Sequence, residues 1–109
     1  MLDQLDDKDL DDLPFGVVCL DEALTVVRMN RLESQASGIQ RWRAIGRNFF
    51  RDVAPGPENR ALAEHIRTFL AGREAEARIA HTFQRRAGTD ETEIELSRGD
   101  GRVYLAIRR

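Results

Sequence analysis

The stretch that decides the fold is AIGRNFFRDVAPGPENRALAEHI, residues 44–66. Two phenylalanines run into Val-Ala-Pro-Gly-Pro, and a regular helical pattern begins directly behind the knot. Asn48 stands where its side-chain oxygen can take a free N–H at the start of the FFRDV turn. Gly56-Pro57 puts a glycine at the mouth of the next helix and a proline in its first turn, where the missing N–H costs nothing. Beyond it Leu62, Ile66, Phe69 and Leu70 share one face, Arg60 and Glu64 sit four apart on another, and Gly72 ends the run. The spacing predicts a helix over 57–71. Such a knot is either plain punctuation or the lip of a cavity, and the flanking chain has to decide.

Towards the N-terminus, FGVVCLD (15–21) and LTVVRMN (24–30) are β-branched runs separated by DEA, the pattern of a hairpin. NRLESQASG (30–38) follows, with Asn30 as N-cap, Glu33 three residues on as in a capping box, and Gly38 as terminator. RWRAIG reads as another brief turn. Towards the C-terminus the period changes to two. Ala77, Ile79, His81 and Phe83 alternate with Arg78, Ala80, Thr82 and Gln84. Thr92, Ile94 and Leu96 alternate with glutamates, and Val103, Leu105 and Ile107 with Tyr104 and Ala106. AGTD (87–90) and RGDG (98–101) are the turns between these strands. A strand pair, a cluster of short helices and a strand triplet predict an α+β domain, one antiparallel five-stranded sheet with short helices packed on one face.

With 109 residues the chain is one domain, able to bury roughly 65% of its unfolded surface. Seventeen basic against nineteen acidic side chains, a formal charge of −2, provide no field to attract nucleic acid. The single cysteine, Cys19, excludes an internal disulfide and a multi-cysteine zinc site. No apolar run approaches the roughly 20 residues that span a bilayer, and no signal-peptide pattern opens the chain, so a cytoplasmic protein without a membrane partner is expected. Asp3, Asp6, Asp7, Asp9, Asp11 and Asp12 accompany leucines at 2, 5, 10 and 13. Residues 1–13 are therefore expected to form a short amphipathic helix, an acidic cap laid over a domain of residues 14–109. The other reading of that segment is a docking element for a partner or a second copy.

LDDLPFGVVCLD, IGRNFFRDVAP and the closing GDGRVYLAIRR, in this order of elements, resemble the photoactive yellow protein family of PAS domains, from about residue 10 to the end. The resemblance implies the PAS fold and a bacterial-type sensory role. In that family the residue after Val-Ala-Pro is a cysteine that carries a hydroxycinnamoyl chromophore as a thioester. Here it is Gly56, and Cys19 does not match the attachment position. The family's tyrosine, glutamate, threonine and arginine around the chromophore correspond to Met29, Glu33, Ser37 and Ile39, so only the glutamate is retained. The resemblance thus implies the frame without the photochemistry, a colourless protein rather than a photoreceptor. Carried over position by position, a ligand pocket would be lined by Val18, Met29, Glu33, Ser37, Phe49, Val53, Ala54, Gly56 and Phe83.

The residues themselves leave some choices open. Glu33 either closes the capping box onto Asn30 or turns inward. Turned inward, a buried carboxylate without the phenolic partner needs another donor or a proton. His65 lies at the edge of the apolar face of its helix. Because some PAS domains hold haem through a histidine of this helix, a haem-binding gas or redox sensor using His65 is the alternative function. His81 reads as a half-exposed sheet residue, and Trp42, set among arginines in QRWRAIGR, as a surface residue or a partner contact. No Ser/His/Asp set, phosphate-binding loop or paired-acid arrangement is visible, so no enzyme and no cofactor are expected. The expected function is signal transduction through protein–protein interaction or homodimerisation, with a small apolar molecule as a possible ligand.

Overall fold

A computed structural model of the chain describes residues 1–85 and 88–109. Strands β1 (Gly16–Leu20), β2 (Val26–Met29), β3 (Glu76–Arg85), β4 (Gly88–Gly99) and β5 (Arg102–Arg108) form one antiparallel sheet in the order β2-β1-β5-β4-β3. At RGDG, Asp100 and Gly101 both adopt the left-handed conformation, with φ of 52° and 73°, which gives the two-residue turn whose twist matches a hairpin. It sets Leu96 opposite Leu105 and Ile94 opposite Ile107. Residues 88–90 of the expected AGTD turn belong to β4, with Gly88 opposite Arg85, and the turn itself lies outside the described residues. Asp21 shapes the first hairpin, its carboxylate accepting the N–H groups of Ala23 and Thr25.

The front face of the sheet carries the helical layer. α2 (Arg31–Ser37), α3 (Arg41–Ala44), a π-helical turn (Phe49–Val53), a 3-10 turn (Pro57–Asn59) and α4 (Arg60–Ala71) follow one another along the chain. Asn30 caps α2 through the Glu33 N–H, Gly38 ends it at φ 74°, and Asn48 caps the π-turn, as the sequence patterns predict. Ala44, Phe49, Leu62, Ile66 and Phe69 from this layer pack on Val18, Leu20, Ile94, Leu96, Val103, Leu105 and Ile107 of the sheet. The helix expected over 57–71 starts as a 3-10 turn and becomes α-helical only at Arg60, and Asn59 turns its side chain inward instead of capping it. At its far end Arg98 of β4 donates to the carbonyls of Gly72 (2.8 Å), Glu74 (2.7 Å) and Phe69, and its guanidinium lies over the Phe69 ring. A cation on the last carbonyls complements the helix dipole.

The N-terminal residues pack on the other face of the sheet, apart from the helical layer. The single amphipathic helix expected there is split into a 3-10 turn (Leu2–Gln4) and α1 (Asp7–Asp11), because Asp6 is extended and accepts the Asp9 N–H at 2.8 Å. Leu10 is buried with Val17, Cys19 and Tyr104, and Leu2, Leu5 and Leu13 pack around them. The central strands β1 and β5 are therefore dry on both faces.

Candidate functional site

Between the helical layer and β3 lies a cavity of about 230 Å³. Met29 comes to it from β2, Glu33 and Ser37 from α2, Phe49 and Val53 from the π-turn, Ala54 and Gly56 from the knot, and Phe83 from β3. These are eight of the nine positions expected to surround a pocket. The ninth, Val18, is not at the surface of the cavity. It sits at 0% exposure between its strand neighbours Met29 and Leu105, sealed into the core beneath. Ile39, Pro55, Glu58, Asn59 and Gln84 complete the lining. A wider cleft of about 500 Å³ opens between the knot and α4, and Pro55, Gly56 and Asn59 border both spaces. The proline-glycine-proline knot is thus both a helix start and a thin wall.

Both readings of Glu33 hold in part. Its backbone N–H is capped by Asn30 Oδ1 at 3.1 Å, yet its side chain does not return to Asn30. The carboxylate is buried, and its donor is Arg109 at the end of β5, Nη1 to Oε1 at 2.8 Å and Nη2 to Oε2 at 3.3 Å. Arg109 Nε also donates to Asp90 Oδ2 at 2.7 Å, so one guanidinium clamps α2, β4 and β5 together. Gly16 makes room for this arrangement, since a Cβ there would collide with Oε1 of Glu33. Nothing local marks Arg109, which is 76 residues from Glu33 in the sequence.

At the opposite end, the Glu58 carboxylate lies across Gly56, where any Cβ would run into it. Asn59 is buried, donates from Nδ2 to the Ala54 carbonyl at 3.0 Å and meets His81 Nε2 with Oδ1 at 2.7 Å. Since Oδ1 can only accept, His81 Nε2 carries the proton in this pairing. The His81 ring stands edge-on to Phe83, 4.6 Å between centroids. Burial holds its pKa below the usual 6.5, with the Glu58 charge partly opposing the shift. His81 therefore buttresses the cavity wall from the sheet.

The remaining candidates lie elsewhere. His65 is exposed on α4 and borders a separate groove with Phe69, Ala77 and Ile79. Cys19, the chain's only cysteine, is buried on the back of the sheet, and burial pushes its thiol pKa up, moderated by a hydrogen bond with Tyr104. No thiol lines the cavity. Among the described residues no group of three or more His, Cys, Asp or Glu side chains could hold a metal ion. Nor is any helix among them long and apolar enough to cross a membrane.

The family described as the PAS fold matches residues 10–104. The photoactive yellow protein of Rhodothalassium salexigens is 28% identical over 106 residues, 94% of this chain and 84% of that protein. Among solved structures, the photoactive yellow protein domain of the sensor histidine kinase Ppr from Rhodospirillum centenum superposes with a TM-score of 0.88 at 28% identity, over 98% of this chain and 96% of that one. The PAS domain of the Cronobacter turicensis RpfR quorum-sensing receptor, solved in complex with BDSF, gives a TM-score of 0.74 at 18% identity, covering 89% and 94%. At that identity the likeness is one of fold alone.

Proposed function

The chain belongs to the PAS fold family, a family of signal-transduction sensor modules, and from that premise we propose that its cavity takes a small, uncharged, largely apolar ligand without covalent attachment. The observation that carries this reading is Gly56, a residue without a side chain in the cavity wall at the position that resembles the family's thioester cysteine. A glycine cannot be acylated, and the one thiol of the chain is on the far side of the sheet. The module is then a colourless relative of the photoreceptors, acting by binding and release in a bacterial, cytoplasmic signalling protein.

The lining supports the choice of ligand class. Phe49, Phe83, Met29, Val53 and Ile39 supply apolar and aromatic surface. Two carboxylates face the space, Glu33 neutralised by Arg109 and Glu58 without an ion-pair partner among the described residues. An anionic ligand would be buried against Glu58 with no cation free among the described residues to offset it, whereas a hydroxyl or amide N–H would be a good donor to it. The RpfR domain offers a precedent, at the level of fold, for a small molecule bound by a PAS domain. Occupancy would act outward through the Glu33–Arg109 clamp to the end of β5, and through Asn30 to the N-terminal segment, changing contacts with a protein partner.

Thermal melts in the presence of 4-hydroxybenzyl alcohol and of 4-hydroxybenzoate, matched in size but not in charge, test the reading. The alcohol is expected to stabilise, by about 2.7 kcal/mol at a hundredfold excess over Kd, and the carboxylate far less. Phe83→Trp, which fills the cavity, should remove the difference. Equal stabilisation by both probes, or stabilisation unaffected by Phe83→Trp, would overturn the proposed charge preference and site.

A further inference from the structure

The two edges of the sheet end differently. At the β2 edge the chain covers the ladder itself. Val26 N–H donates to the Arg47 carbonyl at 2.9 Å, Gly46 N–H donates to the Val26 carbonyl at 2.8 Å, and Thr25 bridges to Asn48. The opposite edge is β3, ten residues paired with β4 without a break in register, from Glu76 opposite Ser97 to Arg85 opposite Gly88. Over residues 76–82 its outer side receives no backbone hydrogen bond among the described residues. In an antiparallel ladder, every other residue of such a strand turns both its N–H and its C=O outward. Edges are commonly blunted by proline, a bulge or a covering segment. Proline and bulge are both absent from β3, which leaves it a template for one more strand.

The two faces of β3 dictate what that strand carries. In front, Ala77 and Ile79 are half-buried and border a groove of about 290 Å³ against α4, with the buried Phe69 and Leu96 beneath and His65 on the rim. Behind, by the alternation of side chains, stand Glu76 of β3 and Glu91, Glu93 and Glu95 of β4. The one described base of these two strands on that face is Arg78, which reaches Glu95 at 3.3 Å and Glu93 at 3.7 Å. A strand laid along β3 at the usual ~4.8 Å spacing sets its forward side chains against Ala77 and Ile79 and its rearward ones beside this acidic surface. We propose that the β3 edge docks an extended peptide of a partner protein, in which apolar side chains facing the groove alternate with lysine or arginine facing the glutamates. Main-chain hydrogen bonds then supply affinity, and the alternating side chains supply selectivity. A second copy of this chain fits worse, because pairing β3 with itself brings two acidic faces together. The proposal rests on the protein-interaction part of the function above and names its partner class. It is independent of the cavity, whose occupancy the melts report separately.

Titration of the full chain with the capped peptide Lys-Val-Lys-Leu-Lys-Val-Lys, read by amide hydrogen exchange in NMR spectra, tests it. Alternate amides of residues 76–82 should exchange readily in the free chain and at least about tenfold more slowly when the peptide is bound. The same peptide N-methylated throughout keeps its side chains, cannot donate, and should not bind. Its counterpart Glu-Val-Glu-Leu-Glu-Val-Glu should bind at least about tenfold more weakly, and Glu76→Lys/Glu93→Lys should reverse that order. Both glutamates are exposed, and unchanged chemical shifts outside β3 and β4 verify that the variant is folded. Four results would overturn the proposal: no binding of the basic peptide, binding that leaves exchange at β3 unchanged, equal binding of the N-methylated peptide, or equal affinity for the basic and acidic peptides. Slow alternate β3 amides in a free chain of doubled mass would overturn it as well, by giving the edge to a second copy.

Discussion

The two faces of the sheet are built by different rules. On the back, Leu10 closes over Val17, Cys19 and Tyr104, and Arg28 ties the N-terminal segment down through Asp7, the Leu5 carbonyl and the Tyr104 hydroxyl. On the front, the helical layer stops short of complete packing beside β3 and leaves a cavity whose two ends are polar. Filling that space with side chains would add stability, since an unfilled void forfeits dispersion contacts along its lining. The contrast teaches where the fold can respond to a ligand: the back secures the sheet, and the front keeps a gap with hydrogen-bonded rims.

One residue connects the two faces, and its loss should have the largest effect. Asn30 Oδ1 accepts the N–H groups of Val17 and Glu33, while Nδ2 donates to the carbonyls of Leu10 and Phe15. Asn30→Ala leaves buried groups of the back, the sheet and α2 without partners at once, and a loss of about 3 kcal/mol in urea unfolding is expected. A loss under about 1 kcal/mol would mean that the faces are not linked through this side chain.

Next comes the front rim. Arg109→Ala leaves the buried Glu33 carboxylate uncompensated. Because Arg109 is itself 25% exposed, the expected cost is about 2 kcal/mol, below the 3–5 of a fully dry pair. Glu33→Gln in the Arg109→Ala background should recover part of it, which an effect of lost side-chain packing alone would not show.

A pair of glycines sharpens the contrast between rigid and yielding parts of the cavity. Gly16→Ala must displace the clamped Glu33 carboxylate and should cost about 1–2 kcal/mol. Gly56→Ala meets only the free end of Glu58, at an ordinary φ of −60°, and should stay within about 0.5 kcal/mol. Equal losses at both positions, measured by the same urea titrations, would remove the distinction.

The smallest expected effect is on pH dependence. His81 is held below its usual pKa of 6.5 by burial, so the unfolded chain takes up its proton first as pH falls. The stability contributed by neutral His81 is complete above about pH 6.5 and declines from there towards the lower folded value. Urea midpoints across this window should fall in the wild type and fall less in His81→Gln.

What was legible in the sequence was local. The caps at Asn30 and Asn48, the terminator Gly38 and the period-two strands each rest on contacts within a few residues, and each is where the pattern put it. Contacts across the fold were not legible. Arg109 reaching Glu33, Arg98 collecting the carbonyls at the end of α4, and Glu58 folding over Gly56 have no signature in spacing. The eight cavity positions came from resemblance to a family, which carries three-dimensional information that periodicity lacks. Val18 shows its limit: it stayed in register while the neighbouring side chains covered it.

The central claim is that the cavity is a site of reversible, non-covalent occupancy. Mass spectrometry of the purified protein under native and then denaturing conditions tests it most directly. The account predicts an added mass in the native spectrum that disappears on denaturation, leaving the bare chain. An added mass that survives denaturation would show covalent attachment, and a bare native chain that no neutral probe can load would show that the cavity binds nothing; either result would contradict it.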